Sequence, residues 1–189
     1  KFEFDSQPGY QKMNKENKLV PGLPSGFEDR WNKKILLKKK LLEAIENNFI
    51  KFGAEALETP SFEIAENIGS FLAEDEANPM SDVFSFKDGD KNITLRYDLS
   101  SPLARFYAQN NQELPSIFKR YQIQNVFRNE KAGNGRYREF MQADFDIVGN
   151  VNPAQANAEL CNLISSTLSD CGLKAVSYTH LRAHETSID

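Results

Sequence analysis

Apolar residues recur at helical spacing between Arg30 and Phe52, where Trp31, Ile35, Leu42, Ile45, Phe49 and Phe52 follow one another at steps of three, four or seven. Such a stripe predicts an amphipathic helix. The lysines of the KKILLKKKL run then fall on its solvated outer face, a simpler account of them than nucleic-acid contact. Gly53 suits the end of this helix, and Ala54 to Thr59 reads as a short strand stopped by Pro60. Val83 to Phe86 and Ile93 to Arg96 are β-rich runs joined by KDGDKN, in which Asp88-Gly89 signals a hairpin turn. Tyr97 to Ser101 leads into a helix with Pro102 in its first turn and Leu103, Phe106 and Tyr107 facing inward. Ile117 to Arg128 is a strand candidate, Asn129 to Gly135 a polar loop, and Arg136 to Val148 a returning strand. Asn152-Pro153 opens a last helix that ends at Gly172. Helices interspersed with hairpins predict an α+β fold: a mainly antiparallel sheet with flanking helices, whose central hairpin pairs Ile117 to Arg128 with Arg136 to Val148. There is no internal repeat.

The chain has 189 residues, 40% of them hydrophobic, which is enough for one core and too few for two full domains. A net charge of -4 excludes a general nucleic-acid-coating role, so any RNA contact must be local. With no bilayer-spanning apolar run and no signal-like stretch in Lys1 to Tyr10, the expected location is cytoplasmic, with no membrane partner. Cys161 and Cys171 sit ten residues apart in one expected helix. That separates them by roughly 15 Å, too far for a disulfide. They are expected to be buried small apolar groups, and no Cys-x-x-Cys pair supports a zinc or redox site.

Both ends differ from the body. Residues 1–22 read as an amino-terminal tail, with Met13 the expected initiator and residues 1–12 translated upstream sequence or a disordered extension. Residues 176–189 read as a non-native tail, since VSYTHLRAHET resembles the translation of a sequencing-library adapter. His180 and His184 fall there, at a spacing that places two imidazoles on one helix face. Without a third ligand they are not expected to bind metal, and no protein side chain is assigned a metal.

The returning strand carries the chemistry. On it Arg136, Arg138, Phe140, Gln142, Asp144 and Asp146 would line one side, and Tyr137, Met141, Ala143, Phe145 and Ile147 the other. The second set is mostly apolar and belongs to the core. The first has the guanidiniums, amide, aromatic ring and carboxylates needed to hold a zwitterion beside a polyphosphate. Activation of an amino acid asks for that mixture, because a carboxylate must approach the α-phosphate of ATP and cations must offset the repulsion. Arg138 and Asp144 are read as cross-strand salt bridges, and Arg96 as the structural partner of a carboxylate.

Phe127 to Gly149, FRNEKAGNGRYREFMQADFDIVG, resembles motif 2 of the histidyl-tRNA synthetases, a class II aminoacyl-tRNA synthetase family. ITLRYDLSSPLARF, Ile93 to Phe106, is similar to their histidine-binding strand and helix, and FGAEALETPSFE to motif 1, which builds the family's dimer interface. PSGFEDR, LETPSFE and FRNEK fit the alphaproteobacterial branch. The resemblance covers about Leu23 to Lys174, so residues 23–175 are read as part of a class II catalytic domain with motifs 1 and 2. It implies ATP-dependent activation of L-histidine, with Mg2+ accompanying the ATP, transfer to histidine tRNA, and a homodimeric full-length protein. It further implies that Arg128 contacts the α-phosphate and the substrate carboxylate as the catalytic cation, Glu130 the adenine side, and Arg136 the terminal phosphate, with Phe140 stacked on adenine. The histidine pocket would comprise Asp98, Leu99, Ser100, Arg128, Gln142 and Asp146: Asp98, Ser100 and Gln142 for the ammonium, Asp146 for the imidazole. Many members have glutamate at the positions of Asp98 and Asp146 and threonine at that of Ser100; the changes here preserve charge or hydroxyl. The family's motif 3, a further catalytic arginine and an anticodon-binding domain are not met before Ala175, so the chain alone is expected to be inactive. The alternative is the histidine-binding regulatory subunit of ATP phosphoribosyltransferase, which needs no ATP-side cations of motif 2.

Overall fold

The computed structural model describes residues 21–68 and 82–173; the expectations for residues 1–20 and for the tail from Val176, with His180 and His184, lie outside the described residues. The fold is α+β, built on two three-stranded sheets.

Helix α1 (Lys33–Lys51) closes with a glycine cap. The Gly53 amide donates to the Ile50 carbonyl at 2.9 Å and the Ala54 amide to the Phe49 carbonyl at 3.2 Å. Gly53 lies at φ 81°, the left-handed conformation that lets one residue turn back to satisfy the last carbonyls. Only the second half of the expected stripe is covered. Phe49 is buried with Ile45 and Phe52 packed beside it, whereas Ile35 is exposed and Trp31, which precedes the helix, is 76% exposed. The sheet and last helix meet α1 only at its carboxyl-terminal turns, so the periodicity there reflects helix formation more than burial.

Strand β1 (Glu55–Ala56) is shorter than Ala54 to Thr59 and runs parallel to β5 (Ile117–Phe127). Side chains end the ladder: Thr59 N–H donates to Gln124 Oε1 at 3.1 Å, and the Thr59 carbonyl accepts from Arg96 Nη1 at 2.7 Å. The second sheet joins β2 (Phe62–Ile64), β3 (Ser85–Asp88) and β4 (Lys91–Leu95), all antiparallel, with the short helix α2 (Ala65–Ile68) after β2. Asp88 pairs with Lys91, so Gly89-Asp90 forms the two-residue turn, with Gly89 at φ 59°. Because that turn is tighter than the six residues KDGDKN, both strands reach further into it than expected.

Helix α3 (Ser100–Asn110) buries Pro102 and Leu103, and the Phe106 ring lies 6.3 Å from that of Phe118. Its first turn is held by Asp98, whose Oδ1 accepts from Ser101 N–H at 3.0 Å. The central hairpin pairs β5 with β6 (Glu139–Gly149) antiparallel, from Ile117 opposite Gly149 to Phe127 opposite Glu139. Arg136, Tyr137 and Arg138 precede β6 and belong to the loop, which corrects the expected strand start. Helix α4 (Pro153–Asp170) begins at Asn152, whose Oδ1 accepts from the amides of Ala154 and Gln155 at 2.9 and 3.3 Å. Cys161 is exposed and Cys171 half-buried, against expectation, because α4 turns Leu160 and Leu163 to the core instead.

The hairpin therefore has two unlike faces. Its odd face meets α1 and α4, with Phe49 centred 5.8 Å from Tyr121 and 5.5 Å from Phe145, and Leu163 and Ala54 closing the cluster. Its even face carries Arg120, Gln122 and Gln124 on β5 opposite Asp146, Asp144 and Gln142 on β6. Among the described residues no helix is long and apolar enough to cross a membrane.

Candidate active site

The loop between β5 and β6 is tied at its base and middle. Arg128 N–H donates to the Arg138 carbonyl, and Arg138 N–H to the Gly26 carbonyl, each at 2.8 Å. Gly26 lies at φ 83°, and a Cβ there would meet Arg138 Cγ at 2.7 Å, so the approach needs glycine. Arg138 Nε donates to the Glu130 carbonyl at 2.8 Å. The expected salt bridge of Arg138 is thus replaced by main-chain contacts, because the residue sits in the loop rather than on β6.

Within this frame the Arg128 guanidinium lies 4.4 Å from the centre of the Tyr97 ring and 5.1 Å from that of Phe140. The faces of the rings attract the cation and restrict its rotamers. Glu130 Oε1 accepts from the Tyr97 hydroxyl at 2.8 Å, and Oε2 pairs with Arg136. The Tyr97 hydrogen bond, ahead of Arg136, holds the Glu130 carboxyl below its usual range, while burial raises the Tyr97 phenol. Arg128, Glu130, Arg136 and Phe140 therefore gather, with Tyr97 as a joining residue that sequence reasoning did not single out.

A second group surrounds a fully buried arginine. Arg120, directly opposite Asp146 in the ladder, brings Nη2 to 2.8 Å from Asp146 Oδ2 and donates to the Leu99 carbonyl at 3.0 Å and to Gln122 Oε1 at 3.3 Å. The ion pair is close but poorly aligned, so Asp146 Oδ2 lacks a hydrogen-bond partner, as do Arg120 Nε and Gln142 Oε1. Burial lowers the Arg120 pKa, opposed by Asp146, Asp144 and Asp98. Burial likewise raises the Asp144 carboxyl; Arg120 opposes the rise, and Asp146 and Asp98 add to it. Asp98 and Leu99 reach this group at the start of α3, Asp98 through its charge and Leu99 through its carbonyl, its side chain being buried; Ser100 is the first residue of the helix that follows. The signal for Arg120 was its place in Phe118-x-Arg120-x-Gln122-x-Gln124, one polar face of β5, legible once the hairpin register is laid out.

Arg96 is structural, but its partners are carbonyls rather than the expected carboxylate: Asn125 O at 2.6 Å and Thr59 O at 2.7 Å. Burial lowers its pKa, with Glu58 and Glu63 opposing from a distance. Among the described residues no three His, Cys, Asp or Glu side chains gather as a metal site would require.

A family model described as histidyl-tRNA synthetase matches residues 26–182. The chain is 80% identical over 162 residues to a histidine–tRNA ligase of Pelagibacter ubique, covering 86% of this chain and 35% of that protein. It is 42% identical over 169 residues to a histidine–tRNA ligase of Rhodopseudomonas palustris, covering 89% and 33%. The chain thus spans about a third of the length of the curated relatives it matches. Among solved structures, histidyl-tRNA synthetase from Nostoc superposes with a TM-score of 0.66 at 27% identity, covering 78% of this chain and 34% of that one. An ATP phosphoribosyltransferase regulatory subunit/histidyl-tRNA synthetase from Bacillus halodurans superposes at 0.71 with 23% identity, covering 84% and 40%, a likeness of fold alone.

Proposed function

This chain belongs to the histidyl-tRNA synthetase family, and on that premise we propose that the protein, at the full length of its relatives, activates L-histidine with ATP and transfers it to histidine tRNA. The observation that carries this reading is the join between two polar groups. The cationic loop of Arg128, Glu130 and Arg136 is continuous through Tyr97 and Phe140 with the acceptor-rich face of Gln142 and Asp146.

In the first step a histidine carboxylate oxygen attacks the α-phosphorus, its bond to the bridging oxygen breaks, and pyrophosphate leaves as histidyl-adenylate forms. Arg128, fixed between its two rings, bridges the approaching anions and offsets charge gathering on the phosphoryl oxygens. Arg136, on the exposed side of the loop, meets the terminal phosphate by turning from Glu130. Glu130 then accepts from the adenine amino group, and Phe140 lies against the base. Mg2+ bound to the ATP would offset the charge of its phosphates. Asp98, Ser100 and Gln142 receive the ammonium, the unspent Gln142 Oε1 fitting that role, and Asp146 receives an imidazole N–H on the oxygen that does not face Arg120. In the second step a tRNA ribose hydroxyl attacks the carbonyl and AMP leaves. The regulatory-subunit alternative has no use for the ATP-side cations. Phe62 and Phe86, both exposed and 5.4 Å apart on the second sheet, support a homodimer through the motif 1 face. Charging of tRNA assigns the protein to the cytoplasm.

The test is histidine-dependent exchange of pyrophosphate into ATP, then acylation of histidine tRNA, by the protein at the length of its relatives. Exchange that needs histidine supports the ligase; histidine binding without exchange would establish the regulatory alternative.

A further inference from the structure

We propose that Arg120 is a positioning residue that sets the spacing of the histidine pocket, an inference resting on the histidine-activating reading above. Arg120 is fully buried and contacts both walls of that pocket. Its Nη2 lies 3.0 Å from the Leu99 carbonyl, between Asp98 and Ser100 at the start of α3, and 2.8 Å from Asp146 Oδ2 on β6. One planar guanidinium thus braces the ammonium-binding segment against the imidazole-binding carboxylate. The brace is itself anchored from behind. Nη1 donates to Gln122 Oε1, Gln122 Nε2 donates to Thr59 Oγ1 at 2.8 Å, and Gln124 Oε1 accepts from Thr59 N–H and from Arg96. The bonds this buried chain does make resist displacement, since each one lost leaves a desolvated atom unsatisfied.

The charge count gives the brace a second effect. Asp98, Asp144 and Asp146 all act on Arg120, three carboxylates about one buried cation. The pocket therefore keeps an excess of negative charge, suited to a ligand that brings an ammonium and an imidazole. Asp146 offers its second oxygen to the ligand while the first faces Arg120. Arg120 shares no hydrogen-bond partner with Arg128, Glu130 or Arg136 among the described residues.

A positioning role of this kind predicts an asymmetric kinetic effect. In the full-length parent, Arg120→Lys keeps the buried charge but has one nitrogen in place of the fork, so it cannot hold the Leu99 carbonyl and Asp146 as Nη2 does while Gln122 anchors it as it anchors Nη1. Histidine KM in pyrophosphate exchange should rise about 10- to 100-fold, the scale on which a misplacement near 1 Å acts, while the KM for ATP stays within about threefold. Arg120→Met should raise it further, and Arg120→Met combined with Asp146→Asn should raise it by less than the product of the two single effects, because part of the brace acts through that carboxylate. Equal increases in both KM values, or a histidine KM unchanged in Arg120→Lys, would overturn the proposal. Its failure is separable from that of the parent reading: a parent without histidine-dependent exchange sinks both, whereas normal exchange by parent and Arg120→Lys alike sinks this inference alone.

Discussion

Arg128 has its freedom removed before any substrate arrives, held by Tyr97 and Phe140 on two sides and by the Tyr97 carbonyl at 3.4 Å from Nε. A preorganised cation of this kind acts on the transition state without reorganisation, and removing one commonly costs about 100- to 1,000-fold in rate. Arg128→Ala in the full-length parent is therefore expected to reduce histidine-dependent pyrophosphate exchange by that order; activity within a few-fold of the parent would refute the role. Asp144 offers a pH test. Its folded pKa lies above the ordinary 3.8, so between that value and its folded value the native state holds a proton the unfolded chain has lost. Stability then falls as pH rises through this window. Asp144→Asn should relieve the cost, raising the Tm relative to the parent more at pH 7 than at pH 4. An equal difference at both would show that burial of the charge is not the cause. Glu130 has the opposite sign, its lowered pKa contributing stability above 4.5 that is lost in acid.

Elements hold these residues through contacts made at their ends. Asn48 on α1 donates to Asp170 Oδ2 on α4 at 2.8 Å, and Leu163, 2% exposed, fills the space between both helices and the sheet. Leu163→Ala should destabilise the fold by about 2–5 kcal/mol, as other large-to-small changes in cores do, read as a shift of the urea midpoint with the slope unchanged. At the far end of the hairpin, Gly149 sits at φ 138° where a Cβ would lie 2.2 Å from the Ser116 carbonyl oxygen. Gly149→Ala then meets backbone on one side and a strained φ on the other. It is expected to cost more than about 1 kcal/mol, and full stability in the same denaturation assay would contradict this geometry.

At the scale of the whole molecule, β6 is the outer strand of its sheet among the described residues, and beside it lies a cavity of about 470 Å³ lined by Ile45, Phe145, Leu160 and Ile164, among others. An unpaired strand next to apolar surface is a template for association. The 189-residue chain, spanning 35% of its Pelagibacter relative, is expected to self-associate when purified alone and to acylate no histidine tRNA. The full-length protein should instead acylate histidine tRNA as a defined dimer, and turnover by the short chain comparable to the full enzyme would show that the catalytic set is complete within it.

Sequence alone determined what local rules control. Helical spacing placed α1 and Gly53 its end, Asn152-Pro153 and Gly172 bounded α4, and alternation along FMQADFDIV assigned Gln142 and Asp146 to one face, since pleat and helical pitch are properties of the backbone. Motif resemblance identified the loop arginines. Tertiary structure decided what depends on which surfaces meet. Trp31 and Ile35 continue the stripe yet stay exposed, because among the described residues nothing covers that half of α1. Arg136 and Arg138 leave the strand because loop contacts to Gly26 and Glu130 outcompete further pairing. Arg120 became visible only when register set it opposite Asp146 and packing brought the Leu99 carbonyl to the same guanidinium, a coincidence of residues 21 and 26 positions apart that no local pattern encodes.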